Sequence, residues 1–143
     1  GMVHDHKPIS LPDNAAIPKI NLEIYRDEKD GFNLHLHLAE FEIEPPELEG
    51  GNSTSKAKKM IVDGHAHLYV NSIKIRRLYG NFDHLPQSLF KPGINMVMVS
   101  LNAHNHDVWT IGKKQIMATL MLKPDQESFI LHDFSSSPLT TSK

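Results

Sequence analysis

Apolar and polar residues take turns along most of the chain. Ile20, Leu22 and Ile24 alternate with Lys19, Asn21 and Glu23, the period-two pattern of a half-buried strand. A polar turn follows at Asp27-Glu28-Lys29-Asp30-Gly31. From Phe32 onward, Leu34, Leu36 and Leu38 share one side and His35 and His37 the other. The phase then slips, because Phe41 and Ile43 have the opposite parity. A β-bulge at Ala39-Glu40 would keep both apolar sets facing the core. Pro45-Pro46 ends this strand, and residues 47–59 read as a polar loop. Strand pattern returns over Met60–Val70 and Ile73–Leu78, with Asn71-Ser72 as a tight turn between them.

Residues 81–92 read as a loop that holds His84. Another strand is expected over Ile94–Leu101, then a second polar loop over 102–114. Alternation resumes at Ile116, Ala118, Leu120 and Leu122. The proline-punctuated residues 1–18 read as a flexible N-terminal arm. Residues 19–124 make a single domain, and residues 125–143 a largely disordered extension in which 128–132 forms a short strand. No segment of ten or more residues repeats its apolar positions at period 3.6. Short strands separated by Gly and Pro turns predict an all-β, antiparallel sandwich or barrel.

Composition narrows the chemistry. The 143 residues include no cysteine, which excludes disulfides, thiolate metal sites and cysteine nucleophiles. With 15 basic and 17 acidic residues and no basic stripe, nucleic acid is not an expected partner. No apolar run reaches the ~18–20 residues that span a bilayer, so no membrane span is expected. Gly1-Met2 reads as a tag scar, so the missing leader says nothing about compartment. Ten histidines are many for this length. Protonating all of them would carry the net charge from −2 to +8, so charge should respond to pH where imidazole titrates.

The histidines come in groups: His4/His6, His35/His37, His65/His67, His84 and His104/His106. Residues two apart on a strand point the same way, about 6.5–7 Å apart. Two imidazoles so placed can lean onto one ion, at ~2.0–2.1 Å per bond, while a loop supplies a third ligand. Neutral imidazole suits copper, zinc, iron and nickel. The candidate ligands are His65 and His67, approached by His84 and His106, with His35 in reserve. Tyr69, Asn102, Asp107 and Trp109 are candidates for the surrounding pocket or for hydrogen bonds that fix the imidazoles. Met96 and Met98 add thioethers, which favour monovalent copper; packing is the plainer role. No nucleophile elbow and no phosphate-binding loop are present. His35-x-His37 with Glu40 or Glu42 resembles a first cupin motif only faintly, and no second cupin motif follows.

Several segments together resemble a known group. "GFNLHL" (31–36), "AEFEIEPPE" (39–47), "GHAHLYVN" (64–71), "RLYGNFDHL" (77–85), "PGINMVMVSLNAHNH" (92–106) and "GKKQIMATLML" (112–122) are similar, in order, to a family of small exported bacterial proteins, mostly uncharacterised. The resemblance implies a cupredoxin-like or immunoglobulin-like β-sandwich and a periplasmic or secreted location. It implies no established enzymatic activity. His35, His65, His67, His84 and His106 fall on its pattern, whereas His37 and His104 are particular to this chain. Without a cysteine thiolate, blue-copper electron transfer is excluded.

The leading expectation is therefore an exported, non-enzymatic protein that binds copper or zinc through His65, His67, His84, His106 and His35. One alternative is a module for a small ligand or protein, with structural histidines and an end walled by Tyr69, Trp109 and Phe82. Another is a cupin-like metalloenzyme with His35 and His37 turned inward.

Overall fold

A computed structural model describes residues 8–43, 61–103, 108–111 and 114–135. The strands in chain order are β1 (Pro8–Ser10), β2 (Lys19–Arg26), β3 (Phe32–Ala39), β4 (Phe41–Ile43), β5 (Val62–Val70) and β6 (Ile73–Leu78). They continue with β7 (Phe82–Leu85), β8 (Asn95–Asn102), β9 (Val108–Ile111), β10 (Lys114–Gln115), β11 (Met117–Leu122) and β12 (Ile130–Ser135). The fold is all-β and sandwich-like, built from two sheets. Among the described residues the only helical piece is a 3-10 turn at Gln87–Leu89, and no helix is long and apolar enough to cross a membrane.

The smaller sheet has the order β2-β3-β7. The larger sheet runs β1-β9-β8-β11-β12, with β5 also on β8, β4 and β6 on β5, and β10 on β9. Register explains the core. Ala66, Leu68 and Val70 lie opposite Leu101, Val99 and Val97 across β5 and β8. Ala118 and Leu120 lie opposite Val99 and Val97 across β8 and β11. This face and the apolar side of the smaller sheet, with Ile20, Leu22, Ile24, Phe32, Leu34 and Leu36, form one buried cluster. Burying each such aliphatic side chain contributes roughly 1.5–3 kcal/mol.

Three local devices fix the strands. The β5–β6 hairpin turns on Asn71 and Ser72, both at positive φ (53° and 71°), the conformation of a type I′ turn. Asn95 is fully buried beside it: its Oδ1 accepts from Asn71 Nδ2 (2.8 Å) and the Lys91 amide (3.0 Å), and its Nδ2 donates to the carbonyls of Lys91 (2.8 Å) and Gly93 (3.1 Å). Gly64 sits at φ +153°, and a Cβ there would lie 1.9 Å from the carbonyl oxygen of Asn102. Only glycine admits that approach of β5 to β8.

Several expectations change. The phase slip near Glu40 is a left-handed residue (φ 62°), not a bulge within one strand. The chain leaves the smaller sheet there, and β4 joins the larger one in parallel with β5. Both apolar sets do reach the core, since Leu34, Leu36 and Phe41 are buried. The expected 81–92 loop contains β7, antiparallel to β3. The expected 102–114 loop contains β9 and β10. Within the N-terminal arm, residues 8–10 pair in parallel with β9. Past residue 124, the short strand expected at 128–132 is present as Ile130–Ser135, β12, and it pairs with β11 rather than lying in a disordered extension. Four-residue or shorter strands are too brief to show a period.

Candidate metal centre

The β2–β3 hairpin places Glu23 directly opposite His35, and His37 on the same side two residues on. The turn does this by a local network. Asp27 Oδ2 accepts from the amides of Lys29 (2.9 Å) and Asp30 (3.1 Å), and its amide donates to the Gly31 carbonyl (2.9 Å). Asp27 Oδ1 takes the Asn33 side-chain amide at 2.8 Å. These donors hold the Asp27 carboxyl down at about 2, the Asn33 bond contributing most. With the hairpin pinned, alternation turns Glu23, His35 and His37 outward, because Ile24, Leu34 and Leu36 face the core.

The potential ligand atoms of Glu23, His35 and His37 all lie within 4.8 Å of one another. His37 Nε2 and Glu23 Oε1 are 2.5 Å apart. The Glu23 carboxyl is held below the usual carboxylate range, first by its hydrogen bond with His37 and next by that with Tyr25. The same bond to Glu23 raises the Tyr25 phenol. The His35 ring stacks on Phe82 of β7, centroids 4.2 Å apart and 20° between planes. It also lies 4.1 Å from the His37 ring. Phe82 thus fixes one ligand's rotamer while itself remaining 71% exposed.

His84 stands on this same outer face, opposite Asn33. Because Asn33 donates its amide to Asp27, its oxygen accepts from His84 Nδ1–H at 2.9 Å. His84 therefore does not join His65 and His67. It points to solvent from the smaller sheet, whereas those two project from the larger sheet on the side away from the shared core. His106 and Asp107, like His104, fall outside the described residues.

His65 and His67 are almost wholly buried, at 1% and 0% exposure. Their Nε2 atoms are 3.0 Å apart, and the ring of Tyr79 lies 5.3 Å from His65. Asn102 lies opposite His65, and Ser100 opposite His67. Both are buried, and Ser100 Oγ donates to Asn102 Oδ1 at 2.8 Å. Tyr69 is half-buried, 6.5 Å from His67 ring to ring. Trp109 is buried, and its indole N–H donates to the Asp63 carbonyl at 3.3 Å. It stands on the larger sheet, whereas Phe82 belongs to the smaller one. The inward His35 and His37 of a cupin-like site are not found, because β3 turns both outward. A cavity near Ser10, Leu11, Asp13 and Thr110 is lined by no histidine among the described residues.

Glu23 carries no motif, and a reading of single strands passes over it. Its signal is the turn: centring the hairpin on 27–31 sets Glu23 opposite His35. No family model, curated protein or solved structure matches the chain. Its class is therefore defined by fold and geometry alone, as an all-β, sandwich-like protein with an exposed His/Glu cluster.

Proposed function

We propose that the chain is an exported, non-enzymatic protein that binds a divalent transition metal at Glu23, His35 and His37. The observation that carries this reading is the convergence of three ligand atoms within 4.8 Å on one hairpin face. Two imidazoles and a carboxylate suit copper(II) first, by its intrinsic affinity, and zinc second. Three protein ligands leave at least one coordination position open toward solvent. The metal must displace the His37–Glu23 contact, so affinity falls as pH falls and the imidazoles protonate. Export is supported by the sequence resemblance.

Titration calorimetry with copper(II) and zinc tests the site in the full chain. Glu23→Gln should weaken copper(II) binding at least about 10–100-fold, the loss that follows removal of even a group that only orients a ligand. His35→Ala/His37→Ala should abolish this binding event. Equal affinity in wild type and both variants would overturn the reading.

A further inference from the structure

The buried pair offers a separate chemistry. Two nitrogens 3.0 Å apart can both reach one ion at about 2.0–2.1 Å per bond. Both rings lie within the protein rather than at its surface, at 0–1% exposure. The neighbours are soft as well as polar. Met98 lies opposite Tyr69, one step diagonally from His67 on the same face. Diagonal cross-strand positions about 7–8 Å apart are within reach of long side chains. Met117 lies opposite Ser100, which lies opposite His67, so this row runs His67, Ser100, Met117 across three strands. The register positions beside His65 and His67 on β6 and β8 hold Arg77, Ser100 and Asn102, and the carboxylates of this face, Asp63 on β5 and Glu42 on β4, stand one row further along.

Buried imidazole nitrogens, with half-buried thioethers at neighbouring positions and no carboxylate in those register positions, favour monovalent copper over zinc. We infer that His65 and His67 form a second, interior metal site for copper(I), with Met98 and Met117 as its soft flank. The site is independent of the surface cluster, since the two histidine pairs project from different sheets and away from each other.

The test uses the full chain carrying Glu23→Gln, His35→Ala and His37→Ala, so that failure of the surface site cannot mask the interior one. Anaerobic competition with a chromogenic copper(I) chelator should show one equivalent bound as tightly as in the same assay on wild type. Adding His67→Gln should weaken binding at least 100-fold, and adding Met98→Leu about 10-fold. X-ray absorption of the copper-loaded surface-site variant covers the case in which His67→Gln fails to fold. It should show imidazole nitrogen and at least one sulfur around copper. Loss of copper(I) binding in the surface-site variant, affinity unchanged by His67→Gln, or a copper environment without imidazole would each overturn the inference.

Discussion

His35 and His37 stand on a sheet whose outer side meets water, while His65 and His67 are buried on the outer side of the other. Both pairs share the same spacing, and both have alternating aliphatic partners that reach the common core. The contrast lies in their surroundings. Around His35 the cross-strand partners are Glu23 and Phe82, both exposed. Around His67 they are Arg77 and the buried Ser100. His-x-His spacing therefore fixes which side a pair takes, but the neighbouring strands decide whether that side is wet. The wet pair stands beside a carboxylate; the dry pair stands beside Arg77, the buried Ser100 and Asn102, and the ring of Tyr79.

Gly64→Ala should break the comparison most severely. Its Cβ would collide with the Asn102 carbonyl, forcing apart the strands that bury His65 and His67. Urea unfolding should show a loss of at least about 3 kcal/mol, well above the usual cost of a single substitution. A loss below about 1 kcal/mol would mean that β5 and β8 approach less closely than described.

His67→Ala comes next. It opens a cavity at a fully buried position and removes the Nε2 partner of His65. We expect a loss of about 2–4 kcal/mol by thermal or urea unfolding, from lost packing and a stranded polar group. His37→Ala at the exposed pair should change stability by no more than about 0.5 kcal/mol, the range of ordinary surface substitutions. Similar losses in the two variants would erase the distinction between wet and dry pairs.

The smallest effect concerns the turn that presents the exposed pair. The Asp27 carboxyl is held at about 2 in the fold, against an ordinary 3.8. A depressed carboxyl stabilises the fold above its unfolded value, and that contribution fades as pH falls from about 4 toward 2. Asp27→Ala should therefore be less stable than wild type at pH 6, with the gap narrowing by pH 3. Glu23 adds in the same direction, its carboxyl also being lowered. A gap that stays constant across this range would show that the Asp27 charge contributes nothing.

Much of the fold is legible in the chain because alternation records which side of a strand faces the core. Period alone places Ile20, Leu22, Leu34 and Leu36 on the core side, and all are buried. Asn71-Ser72 announced its hairpin through residues suited to positive φ. Alternation records only one contact surface, however. It gave no sign that the outer side of β5 is buried too, because that burial depends on other parts of the chain. Nor did it show that His84, read as a loop residue near His65, belongs to the smaller sheet, since a four-residue strand such as β7 carries too little pattern. Glu23 stayed hidden because a ligand set assembled across two strands depends on register, which a single strand does not display.

The pairing of β1 with β9 has a consequence for the order in which the molecule assembles. Thr110 Oγ1 donates to the Ile9 carbonyl, 101 residues away, and the ladder is only three residues long. Contacts so distant along the chain are entropically slow to form. A short ladder at the end of a sheet path is also the first to open. The amides of Ser10 and Leu11 should therefore exchange with solvent long before those of Leu68 and Val99. The sandwich would then be complete before its first strand docks, as a late latch on a finished core.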